Sequence, residues 1–218
     1  MLNTLIASVL STSLLLTPAT GVISPVAGLS AQIMENETIL SSESMDLTSR
    51  YPVESIGTGF AENILIALSY FASEDEEGKE ILPDSFSLVL RPEDVFAFHK
   101  KGVLSEFKDS KIVSQESDFT TNYGYKVVAG LGGNGVCHLA SLINKAALKA
   151  GLEVVAPVNH NFASIPGIEK EYGVSISTRN APDRQNLYIK NSFEYPVEMR
   201  FVVTDNVLTV EILQINFQ

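Results

Sequence analysis

Residues 125–160, YKVVAGLGGNGVCHLASLINKAALKAGLEVVAPVNH, constrain the fold more than any other part of the chain. They hold the only cysteine, two of the three histidines and four glycines packed between Gly130 and Gly135. The order predicts a short apolar strand at Val127 and Val128, a glycine-rich turn, a helix, and a second strand from Leu152 to Val155. Leu139, Leu142, Ile143, Ala146 and Ala150 fall at i, i+3, i+4, i+7 and i+11 on one helical face, while Asn144, Lys145 and Lys149 point elsewhere. Gly151 stands where a glycine in the left-handed conformation ends a helix.

This order sets Cys137 in the first turn of the helix, where unpaired backbone amides and the helix dipole favour a thiolate. The helix from Cys137 to Ala150 climbs about 20 Å. An extended return from Leu152 to His160 covers about 26 Å, so a return antiparallel to the helix brings His160 level with Cys137. In a catalytic reading Cys137 is the nucleophile, His160 its base, His138 or Asn161 an orienting group, and backbone amides near Val136 an oxyanion site. In a binding reading the same thiol is packed under the helix and the domain holds a ligand without reacting with it.

The first 34 residues carry no charged side chain, and Leu2 to Leu16 form an apolar run broken only by Asn, Ser and Thr. Pro18, Gly21 and Pro25 follow, then small residues at Ala27 to Ala31 that suit a signal peptidase. Residues 1–31 are therefore expected to be a signal peptide, or an N-terminal anchor if left uncleaved, and that segment is the only expected membrane contact. For an exported chain a lone cysteine is notable, because pairing within the chain is impossible. With 15 Lys plus Arg against 26 Asp plus Glu, the net charge of −11 opposes a phosphate backbone. Nucleic acid is excluded as an expected partner.

Residues 32–47 are polar and acidic and read as a linker, with the folded domain spanning 48–218. Thr58 is placed to cap a helix in which Phe60, Ala61, Ile64, Leu65, Leu68, Phe71 and Ala72 share a face. Glu74 to Gly78 reads as a solvated loop. Phe86, Leu88 and Leu90 alternate with polar residues, Arg91 and Pro92 interrupt, and Val95 to Phe98 resume as a strand. Lys100 to Asn122 shows little pattern, and Asn161 to Asn186 is rich in turn formers suited to the rim of a site. Val197, Met199, Phe201 and Val203, then a turn at Asp205 and Asn206, then Leu208, Val210 and Ile212 make an antiparallel hairpin with one buried face. The expected fold class is α+β, a single domain with the Cys-bearing helix packed on a mainly antiparallel sheet that includes both Leu152 to Val155 and this hairpin.

Gly130, Gly132 and Gly135 also satisfy G-x-G-x-x-G between a strand and a helix. The carboxylate that binds a ribose should then end the next strand, yet Ala156, Pro157 and Val158 stand there, and no Lys follows the glycines to hold a phosphate. No cofactor is expected. Three His and one Cys spread over residues 99–160 match no zinc spacing, so no metal is expected.

Several segments resemble the VanW family of bacterial cell-envelope proteins. The glycine run into Gly135, Val136 and Cys137, the helix end Ala150, Gly151, Leu152 and Glu153, and Asn159 with His160 are similar to its central motif. Ser49 to Pro52, Asn63 with Ile64 and Ala67, Arg91 to Phe98, Asn186 to Asn191, and Tyr195 to Val197 are similar to flanking ones, so the likeness covers about residues 48 to 213. His138 stands where the family has Gln, Asn134 interrupts the glycine run, residues 173–176 fall where many members read D-A-T-V, and Asn186 replaces an Asp. The resemblance implies an exported cell-envelope protein that meets cell-wall peptide or glycan, with Gly132, Gly133, Asn134, Gly135 and Asn159 as binding positions. The layout of Cys137 and His160 is also similar to that of transglutaminase-like and papain-like enzymes, which implies hydrolysis or transfer on peptidoglycan peptides.

Overall fold

The computed structural model describes residues 37–73, 82–114, 118–179 and 181–216. The expected signal segment, the Glu74 to Gly78 loop and Asn180 lie outside these residues. The elements in chain order are β1 (Thr38–Asp46), α1 (Glu54–Ala72), β2 (Ser85–Leu90), β3 (Val95–Phe98), β4 (Val127–Val128), β5 (Leu131–Gly132), α2 (Val136–Ala150), β6 (Glu153–Val155), β7 (Leu187–Lys190), β8 (Val197–Thr204) and β9 (Val207–Gln214).

The domain is α+β. One antiparallel sheet has the order β1-β9-β8-β2 and another the order β3-β7-β6, while β4 and β5 form a small hairpin of their own. The β8–β9 hairpin forms where alternation predicts it, with Met199 opposite Ile212 and Phe201 opposite Val210, all four side chains buried. The expectation that the strand after α2 joins the same sheet as this hairpin is corrected: β6 pairs with β7 in the three-stranded sheet. Gly130 and Gly132 lie in the turn and second strand of an antiparallel hairpin instead of after a parallel βαβ strand, which removes the topology a dinucleotide turn requires.

The linker expected at 32–47 is also corrected, since residues 38–46 form an edge strand on β9. Its inward row carries Ser41, Glu43 and Met45, so there is no apolar alternation to read. Ser41 Oγ donates to the Ala146 carbonyl at 2.7 Å, and Glu43 accepts from Lys145 at 3.1 Å and Lys149 at 2.5 Å. Polar contacts with α2 take the place of a hydrophobic stripe.

Helix α2 buries Leu139, Leu142, Ile143 and Ala146 completely, and Gly151 ends it at φ +85°. Asn144 and Lys145, which point away from that apolar face, are buried as well. The helix is covered on its polar side too, where Asn144 Nδ2 donates to the Tyr172 carbonyl at 2.8 Å and Lys145 meets Glu169 at 2.9 Å. Helix α1 begins four residues before Thr58, whose hydroxyl donates to the Glu54 carbonyl inside the helix instead of capping it.

Candidate functional site

The N-terminal end of α2 opens on a cavity of about 520 Å³. Its glycine wall is set by close approach. Gly135 sits at φ +109°, and a Cβ there would land on the Phe60 carbonyl. Gly133 at φ +74° leaves room for Phe119, whose Cβ would lie 2.7 Å from an added Cβ. Buried Asn63 of α1 locks the hairpin, its Nδ2 donating to the carbonyls of Lys126 at 3.1 Å and Asn134 at 2.8 Å while its Oδ1 accepts from Lys126 N at 2.7 Å. Asn134 Nδ2 donates in turn to the Val128 carbonyl at 2.7 Å.

Cys137, His138, His160, Gly132, Gly133, Asn134 and Gly135 all line this cavity. Asn159 and Asn161 are exposed and stand outside its lining, Asn159 donating to the Lys170 carbonyl at 3.2 Å. Four rings follow one another along the wall: Phe60 to His138 at 5.3 Å between centroids, His138 to His160 at 6.3 Å, and His160 to Phe162 at 4.0 Å.

The thiol differs from expectation. Cys137 is half-buried, and its thiol donates to the Ile176 carbonyl at 3.7 Å. Burial pushes the thiol up and outweighs the lowering effect of the Ile176 contact. His160 Nδ1 lies 3.2 Å from the Ala163 carbonyl, which can only accept, so Nδ1 carries the hydrogen and Nε2 keeps a free lone pair in the neutral ring. Burial lowers His160 below the ordinary histidine value, with the Ala163 bond acting against it. His138 is pushed down to about 3, chiefly by burial and further by the charges of Arg50 and His160.

Arg50, Tyr51, Asp118, Phe162 and Arg179 also line the cavity, Phe162 and Arg179 from the turn-rich segment expected at the rim of a site. Each lies on a connecting segment with no periodicity to assign a facing. Among the described residues no group of three or more His, Cys, Asp or Glu is arranged to hold a metal ion.

A family model described as "VanW like protein" matches residues 86–213, more than half of the chain. No curated protein and no solved structure matches. The matched span runs from β2 into β9 and contains the glycine wall, Cys137 and His160, whereas Arg50, Tyr51 and Phe60 reach the cavity from outside it.

Proposed function

The chain belongs to the VanW-like family, and from that premise we propose that it is an exported cell-envelope protein whose cavity binds a peptide or glycan fragment of the wall. The observation that carries this reading is a preformed, aromatic-lined cavity in which the only thiol is already engaged by a backbone carbonyl. Tyr51, Phe60 and Phe162 offer apolar faces to a ligand body, and Phe162 is 74% exposed. Titration calorimetry with soluble wall fragments, both peptide and disaccharide, tests it. Saturable binding is expected to survive Cys137→Ala and to weaken about fivefold in Phe162→Ala, the loss of one aromatic contact. Absence of saturable binding by every fragment sinks the reading.

A catalytic reading is favoured by one observation, the presence of Cys137, His138 and His160 on one cavity wall at a helix N-terminus. In that reading His160 Nε2 would take the thiol proton, the thiolate would add to a peptide carbonyl, and the imidazolium would return the proton to the departing amine as the peptide bond breaks and an acyl–sulfur bond remains. The geometry of the thiol favours the first reading, and alkylation separates the two. At pH 7 the native thiol is expected to react at least tenfold more slowly than free cysteine, to speed up as pH rises, and to be indifferent to His160→Ala. Fast alkylation below neutral pH that collapses in His160→Ala establishes the nucleophile instead.

A further inference from the structure

The cavity inverts the charge of the chain around it. The protein carries a net charge of −11, yet the lining holds two arginines, Arg50 and Arg179, against one aspartate, Asp118. That aspartate is already matched by Lys101 at 2.6 Å. Neither guanidinium is in a salt bridge among the described residues.

Arg50 makes the stronger case because it is only 2% exposed. Its Nε donates to the Asp46 carbonyl at 2.6 Å, one terminal nitrogen to the Pro166 carbonyl at 3.2 Å and Met45 Sδ at 3.6 Å, and the other to Ser49 Oγ at 3.4 Å, while Asp46 Oδ1 accepts from the Thr48 amide at 2.8 Å and hydroxyl at 2.7 Å. All three guanidinium nitrogens are thus held, and the Asp46 carboxylate attracts the charge without forming an ion pair, so the buried cation is only partly compensated until a further counter-charge arrives. Beside it His138, 6% exposed, lines the cavity with its Nδ1 lacking any hydrogen-bond partner. Arg179 stands exposed on the same wall, its terminal nitrogen 3.6 Å from where a Cβ on Gly132 would sit. Gly135, Val136, Cys137 and His138 bring the N-terminal, positive end of the α2 dipole to the same space.

We propose that this cavity recognises a ligand by an oxyanion, a carboxylate or a phosphate, set against Arg50, Arg179 and the N-terminal end of α2, with the ligand's apolar body on Tyr51, Phe60 and Phe162. This rests on the binding reading above and narrows it to acidic fragments of the wall. A neutral glycan has nothing to offer the two guanidiniums, whereas a peptide ending in a free carboxylate or a glycan bearing a phosphate does.

Calorimetry on the full chain with three probes tests it: N-acetyl-dialanine as the free acid, the same dipeptide as its carboxamide, and glycerol phosphate, with a neutral wall disaccharide as reference. At least one anionic probe is expected to bind about tenfold or more tightly than the carboxamide, and to lose about tenfold in Arg179→Gln. Arg179 is exposed, so that variant keeps the fold even where Arg50→Gln does not. Preference for the acid assigns a carboxylate, and preference for glycerol phosphate assigns a phosphate. Equal binding of acid and carboxamide with no glycerol phosphate binding, or affinity unchanged in Arg179→Gln, overturns the oxyanion assignment. Binding of the disaccharide alone overturns it and leaves the binding reading standing; no binding by any probe overturns both.

Discussion

Between pH 6.5 and pH 4 the domain is expected to lose on the order of 5 kcal/mol of stability, from two buried histidines. His99 is fully buried and pushed down to about 4, chiefly by desolvation and slightly by Lys101, against the opposing pull of its bond to the Ser177 carbonyl and of Asp118. His138 is pushed down to about 3 by burial, Arg50 and His160. Each takes up a proton more readily in the unfolded chain than in the fold. Their contribution is therefore complete above the unfolded value of about 6.5 and is lost as pH falls toward the folded values.

The carboxylates act in a lower window. Burial alone would raise Glu43, but hydrogen bonds from Lys149 and Lys145 hold it below its ordinary value, so its contribution fades only under the usual carboxylate range. Urea midpoints at pH 7 and pH 4.5 measure the histidine effect, and His138→Gln is expected to make the difference smaller. Equal midpoints at the two pH values would show that both rings bind protons in the fold as they do in water.

What could be read from the sequence follows from where burial is one-sided. The β8–β9 hairpin has one buried face and a two-residue turn, so alternation alone gives both strands and their register. Helix α2 was legible in its apolar face and its terminal Gly151, but not in the depth of its enclosure. Its polar face is covered by Glu43, Glu169 and the Tyr172 carbonyl, contacts made by residues distant in sequence. Strand β1 was hidden for the complementary reason, because the side chains it buries against α2 are polar.

The site divides in the same way. Cys137 and His160 could be brought together by chain geometry, since a helix and an extended return of comparable length connect them. Arg50, Phe162 and Arg179 sit on irregular segments whose direction only the packed fold determines. The state of the thiol was not legible either. A helix N-terminus can be inferred from a glycine and an apolar period, but whether it stabilises a thiolate depends on how far burial removes the thiol from water, which only the packed fold determines.

Gly135→Ala is expected to be the most damaging single methyl group that can be added to this chain, costing about 4 kcal/mol from backbone strain and overpacking together. Gly135 holds φ at +109°, which side-chain-bearing residues rarely adopt, and its missing Cβ is replaced by the Phe60 backbone, with the carbonyl carbon and Cα of Phe60 both 3.0 Å from where it would lie. Neither partner can move independently. Phe60 belongs to α1, and Gly135 is the residue from which α2 starts, its carbonyl accepting from the amides of His138 at 2.9 Å and Leu139 at 3.2 Å. Relief therefore requires the two helices to separate at the point where the cavity wall is built, so ligand binding is expected to fall with stability. Gly124→Ala is the control: that glycine is also left-handed at φ +82°, but an added Cβ meets nothing within 4 Å, and strain alone predicts a cost of about 1 kcal/mol. Urea denaturation of both variants at pH 7 measures the difference, and equal losses would mean that the contact between α1 and the glycine wall yields to a methyl group without effort.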